Sequence, residues 1–196
     1  MRSVHYCIPM FSMLLLMSLG VLAQTENPLK DRYLLVMDMQ EIGTKKSLSP
    51  ETARQLIDNV NQVIEQSDPE RVIYVEAIMA KLAISLTGLQ VEIEDGMKLD
   101  DRLKLVNDTR VVKTKASAFT AEQLKTFIET HKADEFVIVG MMAEYCVRAT
   151  ALEGLETGYK MAVIPEAIAA ESERGKTEVL NALREKGIEI IPLAEL

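Results

Sequence analysis

The chain has 196 residues, enough for one domain with a sizeable core, and 48% of them are hydrophobic, which excludes a disordered polymer. A formal net charge of −8 without a basic block argues against nucleic acid or an anionic membrane surface as partner. Aromatics make up 5% and there is no Trp, so stacking platforms for single strands are excluded as well.

The first segment reads as a secretory signal over residues 1–23. Arg2 supplies the positive start, Met10 to Ala23 is an apolar run, and Val21-Leu22-Ala23 before Gln24 fits cleavage after Ala23. An uncleaved anchor is the alternative, although the run is short for a span of roughly 20 apolar residues. A secreted or periplasmic location follows, with no stable membrane partner after cleavage. Removal of Arg2, His5 and Cys7 takes the net charge from −8 to −9 and leaves one thiol, Cys146, and one imidazole, His131. A lone thiol in an exported protein cannot pair within the chain; it is either buried and inert or kept for its chemistry.

Residues 24–196 read as one domain. After a polar leader, Arg32 to Gln40 predicts a first strand with Asp38 near its C-terminal end, where α/β sheets place chemistry. Gly43, Lys45 and Lys46 mark a loop. Ser49-Pro50 starts a helix whose apolar face is Ala53, Leu56, Ile57, Val60, Val63 and Ile64. Arg71 to Val75 predicts a second strand ending at Glu76. Alternation across Ala80 to Ile93 suggests a hairpin or an irregular excursion, closed by a turn at Glu94-Asp95-Gly96. A short helical turn is expected at Asp100 to Leu103.

Arg110 to Lys115 predicts a third strand with Lys113 and Lys115 on one face. A helix capped at Thr120 follows, with Leu124, Phe127 and Ile128 inward and His131 near its end, where solvation or the helix dipole accounts for it. Phe136 to Val139 is an apolar β-branched run, as in a buried parallel strand, and Gly140 breaks it. From Cys146 the spacing becomes helical up to Gly158. A thiol in the first turn of that helix is favoured as thiolate, because unpaired N–H groups stabilise charge there; free cysteine titrates near ~8.5, and such sites reach roughly 3.5–7.5. A strand over Tyr159 to Ile164, a loop from Pro165 to Ala170, a helix over Glu173 to Lys186 and a strand over Ile188 to Ile191 complete the chain. Strands alternating with helices imply a three-layer, Rossmann-like α/β fold with a mostly parallel sheet of six strands.

Asp38, Lys113 and Cys146 stand at strand or helix ends that such a sheet gathers on one edge. There, a carboxylate can accept the thiol proton and a cation can steady the thiolate. The blocks Leu34 to Gln40, Val112 to Phe119, and Val137 to Gly140 followed by Cys146-Val147, Thr150, Gly158-Tyr159 and Pro165-Glu166-Ala167 resemble, in this order, those of the isochorismatase-like cysteine hydrolases. That resemblance implies an Asp38–Lys113–Cys146 triad cleaving a small amide-type C–N bond through a thioester. It also implies a cis peptide at Met141-Met142 and an oxyanion hole from the N–H groups of Met142 and Cys146. Glu41, Glu76 and Phe119 are candidates for the substrate pocket. Homo-oligomers are typical of the family, and no cofactor is implied. Nicotinamidases of this family carry an Asp/His metal site after the first strand; here only His131 remains, in another segment, so histidines cannot assemble one. Ala143-Glu144 replaces a common Thr-Asp, Glu41-Ile42 an Asn-Asp-Phe-like continuation, and Glu166 a common Asp. A non-catalytic, ligand-binding member of the same fold is the alternative.

Overall fold

A computed structural model describes residues 27–78, 80–85, 88–93 and 97–196. The signal read over residues 1–23 and the turn read at 94–96 lie outside the described residues. Six strands form one sheet: β1 (Tyr33–Met37), β2 (Val72–Ala77), β5 (Arg110–Lys113), β6 (Glu135–Gly140), β7 (Lys160–Ile168) and β8 (Glu189–Ile190). Their order is β5-β2-β1-β6-β7-β8, and every pairing is parallel. The segment after β2 is a separate antiparallel hairpin of β3 (Ala80–Ser85) and β4 (Gly88–Ile93), the first of the two arrangements that the alternation allowed.

The layers follow from where the apolar stripes fall. Helix α1 (Pro50–Gln66) begins where Ser49 accepts from Thr52 N–H, with Pro50 at the first helical position, where its missing donor costs nothing. Its buried stripe Leu56, Ile57, Val60, Val63 and Ile64 covers one sheet face, against Leu34, Val36, Val72, Val137 and Val139. Helices α2 (Glu122–His131), α3 (Arg148–Thr157) and α4 (Glu173–Glu185) contribute Leu124, Ile128, Ala151, Val179 and Leu183 to the core on the other face. Strands covered on both sides must be apolar throughout, and all five residues of β1 are buried.

Three local expectations change. β7 continues through Pro165 to Ile168 instead of ending before a loop. Between Ile138↔Val163 and Gly140↔Ile168 the register shifts, so the extra residues of β7, Pro165 included, stand in a bulge where no ladder donor is required. Thr120 does not cap α2. Ser117 accepts from Phe119 N–H and caps a short turn over Ala118–Thr120, and α2 starts after Ala121 without a side-chain cap. Finally, β5 stops at Lys113, so strand alternation no longer governs Lys115: Lys113 is 2% exposed, whereas Lys115 is open to solvent. Among the described residues, no helix is long and apolar enough to cross a membrane.

Candidate active site

β1 is the point where the strand order reverses, with β2 on one side and β6 on the other, and a crevice opens beyond the C-terminal ends of such strands. Asp38 leaves β1 with a positive φ of 52°, which turns the chain out of the sheet; its N–H donates to Val75 O at 2.9 Å. Next to it, Gly140 ends β6 at φ 113°, and a Cβ there would lie 2.1 Å from Met37 O, so only glycine lets the two strand ends approach. The Met141-Met142 peptide is cis, where the resemblance puts it. Ala143 N–H donates to Ala169 O at 2.8 Å, anchoring the turn to the end of β7.

Cys146 stands in a widened helical turn, Ala143–Val147, that precedes α3, and Val147 N–H reaches back five residues to Met142 O at 3.3 Å. Lys113 arrives from β5, two strands away. Its ammonium lies 3.0 Å from Asp38 Oδ2 and donates to Cys146 Sγ at 3.1 Å and to Lys115 O at 3.3 Å. The three candidate residues therefore converge. The buried Asp38 Oδ1 has no hydrogen-bond partner among the described residues.

The electrostatics reverse one expectation. Burial, joined by the facing Asp38 carboxylate, pushes the Cys146 thiol up to about 11, and Lys113 offsets this only in part. The helix start does not prevail, because the sulfur is half-buried beside a negative charge. Burial also raises Asp38, against the opposing pull of Lys113 and the thiol. The resting state is thus a protonated thiol beside a carboxylate whose proton affinity is enhanced. The alkylation rate of Cys146 with iodoacetamide should keep climbing through pH 9–10; a plateau below pH 8 would contradict this description.

A cleft of about 230 Å3 opens beside the thiol, with Ile42, Ala77, Met97, Met141 and Met142 among its walls. The pocket candidates named from sequence are not in those walls. Glu41 is held by Lys45 at 2.7 Å and Lys98 at 3.1 Å, and Glu76 by Arg110 at 3.1 Å. Phe119 is a core residue, edge-on to Phe136 at 5.4 Å and stacked on Tyr159 at 5.2 Å. Glu144 binds the Glu171 N–H at 3.1 Å and so ties the thiol-bearing turn to the start of α4. Glu166 accepts from Leu193 N–H at 3.1 Å and holds the C-terminal segment.

Two residues that sequence reasoning passed over shape the site. Gln40 is 2% exposed; its amide accepts from Ala77 N–H at 2.9 Å, donates to Ala77 O at 3.0 Å and also donates to Met97 O. It thereby clamps the ends of β1 and β2 and the Met97 segment together. Its place two residues past Asp38 was the available signal. Asp100 is buried and receives Arg102 Nε at 2.8 Å and Nη2 at 2.7 Å, together with the Thr44 hydroxyl. These partners hold its carboxyl far below the usual carboxylate range, Arg102 foremost. A depressed folded value stabilises the protein above the unfolded value of about 3.9, and that stabilisation fades as pH falls below it. Asp100→Asn should cost about 1.5–3 kcal/mol at pH 7 and about 1 kcal/mol less at pH 3, measured by urea midpoints; an equal cost at both would contradict the ionic account.

Among the described residues, no group of three His, Cys, Asp or Glu side chains could hold a metal ion. The carboxylates around the cleft are already engaged by Lys113, Lys45, Lys98 and Arg102. His131, on α2, pairs with Phe127 O at 2.9 Å. These residues do not fit the Asp/His metal site of nicotinamidases.

A family model described as the isochorismatase domain matches residues 32–195. The chain is 37% identical over 68 residues to a nicotinamidase of Saccharomyces cerevisiae, covering 35% of this chain and 31% of that protein. It is 28% identical over 105 residues to a probable inactive nicotinamidase of Arabidopsis thaliana, covering 53% of this chain and 52% of the relative. These matches thus span about a third and about half of the relatives' length. An isochorismatase-like hydrolase from Alkaliphilus metalliredigens superposes with a TM-score of 0.69 at 20% identity, over 84% of this chain and 94% of that one. At that identity the likeness is one of fold.

Proposed function

The chain belongs to the isochorismatase family, whose domain it matches from residue 32 to residue 195, and on that footing we propose that it hydrolyses small carboxamides with Cys146 as nucleophile. The observation that carries this reading is the Lys113 ammonium, buried 3.0 Å from Asp38 Oδ2 and 3.1 Å from Cys146 Sγ, with Asp38 and Cys146 lining a cleft. With Oδ2 engaged by Lys113, the unpartnered Oδ1 is the Asp38 atom available for a proton. A carboxylate raised by burial accepts the thiol proton more readily, which offsets the thiol's reluctance to ionise.

The thiolate attacks the amide carbonyl carbon, and the electron pair of the C=O bond moves to oxygen. Met142 N–H, which has no acceptor among the described residues, and Cys146 N–H are the proposed donors to that oxyanion. Asp38 passes its proton to the departing nitrogen, the C–N bond breaks, and ammonia leaves a thioester on Cys146. Water then gives a proton to Asp38 and its hydroxyl to the carbonyl. The C–S bond breaks to release the acid, and Asp38 returns the proton to sulfur. Lys113 keeps both carboxylate and thiolate compensated throughout, without moving.

Ammonia release from a panel of small amides, with Cys146→Ala as control, tests this reading. A non-catalytic, ligand-binding protein is the second reading, favoured by the probable inactive nicotinamidase among the relatives. It predicts no release from any amide in either protein.

A further inference from the structure

Resting on the carboxamide reading above, we infer that the substrate's acyl group carries neither a charge nor a hydrogen-bonding atom, so that the cleft prefers benzamide-like over pyridine-carboxamide-like substrates. The cleft walls are supplied largely by Ile42, Ala77, Met97, Met141 and Met142. Three methionines give an adaptable, polarizable wall suited to a ring or a branched aliphatic group.

The polar groups around the cleft have their donors committed. The Gln40 amide spends its two N–H bonds on Ala77 O and Met97 O. The Ser47 hydroxyl donates to Ile42 O at 3.3 Å, and the Tyr145 hydroxyl to Glu171 Oε1 at 2.9 Å. The three N–H bonds of the Lys113 ammonium meet three acceptors, Asp38 Oδ2, Cys146 Sγ and Lys115 O. Apart from the reacting thiol, no described wall side chain therefore keeps a donor for a ring nitrogen, and an acceptor buried without a partner loses its hydration uncompensated. Of the described cations, Lys45 and Lys98 pair with Glu41, Arg102 with Asp100, and Arg110 with Glu76.

A nicotinamidase, as two of the relatives are named, would need a cleft that accepts a ring nitrogen. Nicotinamide differs from benzamide by one ring nitrogen in place of a CH, so the pair isolates that atom. Butyramide and succinamate differ chiefly by a carboxylate in place of a methyl group, which isolates the charge.

The test is kcat/KM by ammonia release for both pairs, corrected for the intrinsic alkaline hydrolysis rate of each amide. Met97→Gln, which adds a wall donor outside the Asp38, Lys113 and Cys146 set, is assayed alongside. The expected result is a preference of at least tenfold for benzamide over nicotinamide and for butyramide over succinamate, with the first ratio falling in Met97→Gln. Nicotinamide or succinamate turned over as well as its partner would overturn the inference while leaving carboxamide hydrolysis standing. Absence of turnover on all four amides, in protein whose Cys146 still alkylates, would overturn the carboxamide reading itself and the inference with it.

Discussion

Asp38→Asn should lower kcat/KM by about three to four orders of magnitude while making the Cys146 thiol easier to ionise. The two effects point in opposite directions, which is what makes the variant informative. The negative charge of Asp38 stands second only to burial among the causes that push the thiol up to about 11. Removing it leaves Lys113, 3.1 Å from sulfur, to favour the thiolate, so the alkylation midpoint should move down. A more abundant thiolate would raise the rate if forming the nucleophile were the whole task. It cannot restore the proton that the departing nitrogen needs, and asparagine has no such proton to shuttle. The amide fits the space, because its NH2 can take the Oδ1 position, where no hydrogen bond is lost. Activity within tenfold of the parent, together with a lowered thiol midpoint, would remove Asp38 from the proton transfers.

Cys146→Ala should reduce turnover to background, a loss of about five to six orders of magnitude if the triad acts as a unit. Fold and cleft should survive. The sulfur is half-buried at the edge of a core whose central members, Val147 and Ala151, are untouched. Substrate binding should persist, since the apolar wall residues Ile42, Ala77, Met97, Met141 and Met142 are untouched. Combining Cys146→Ala with Asp38→Asn should therefore cost no more than Cys146→Ala alone, because both remove the same step. A further large loss in the double variant would mean that the two residues work independently.

How much of this was legible in the sequence depended on the reach of each interaction. Helix α1 could be read almost to its ends, because Ser49, Pro50 and the stripe from Ala53 to Ile64 act within a few residues of one another. The convergence of Asp38, Lys113 and Cys146 was legible for a different reason. Each stands at a strand or helix end, and a parallel sheet gathers those ends on one edge whatever the loops do. What failed depended on partners distant in sequence. Pro165 looked like the end of a strand, yet β6 and β7 absorb it in a bulge. Phe119 is a pocket candidate by family resemblance, but Phe136 and Tyr159 draw it into the core.

The thiol was misread in direction for a related reason. A helix start argues for a depressed value, but the sum also includes burial and a carboxylate that arrives from β1, more than a hundred residues earlier. Gln40 escaped notice because its role lies in bonds to Ala77 and Met97, which no local pattern announces.

The proposed mechanism passes through a covalent acyl group on sulfur. Turnover of an activated ester of butyric acid, quenched in acid and followed by peptide mass mapping, tests it most directly, since a good leaving group lets the acyl-enzyme accumulate. The expected result is one butyryl group, located on Cys146 and released by hydroxylamine. Steady product formation with the label on another residue, or with none on Cys146, would contradict it.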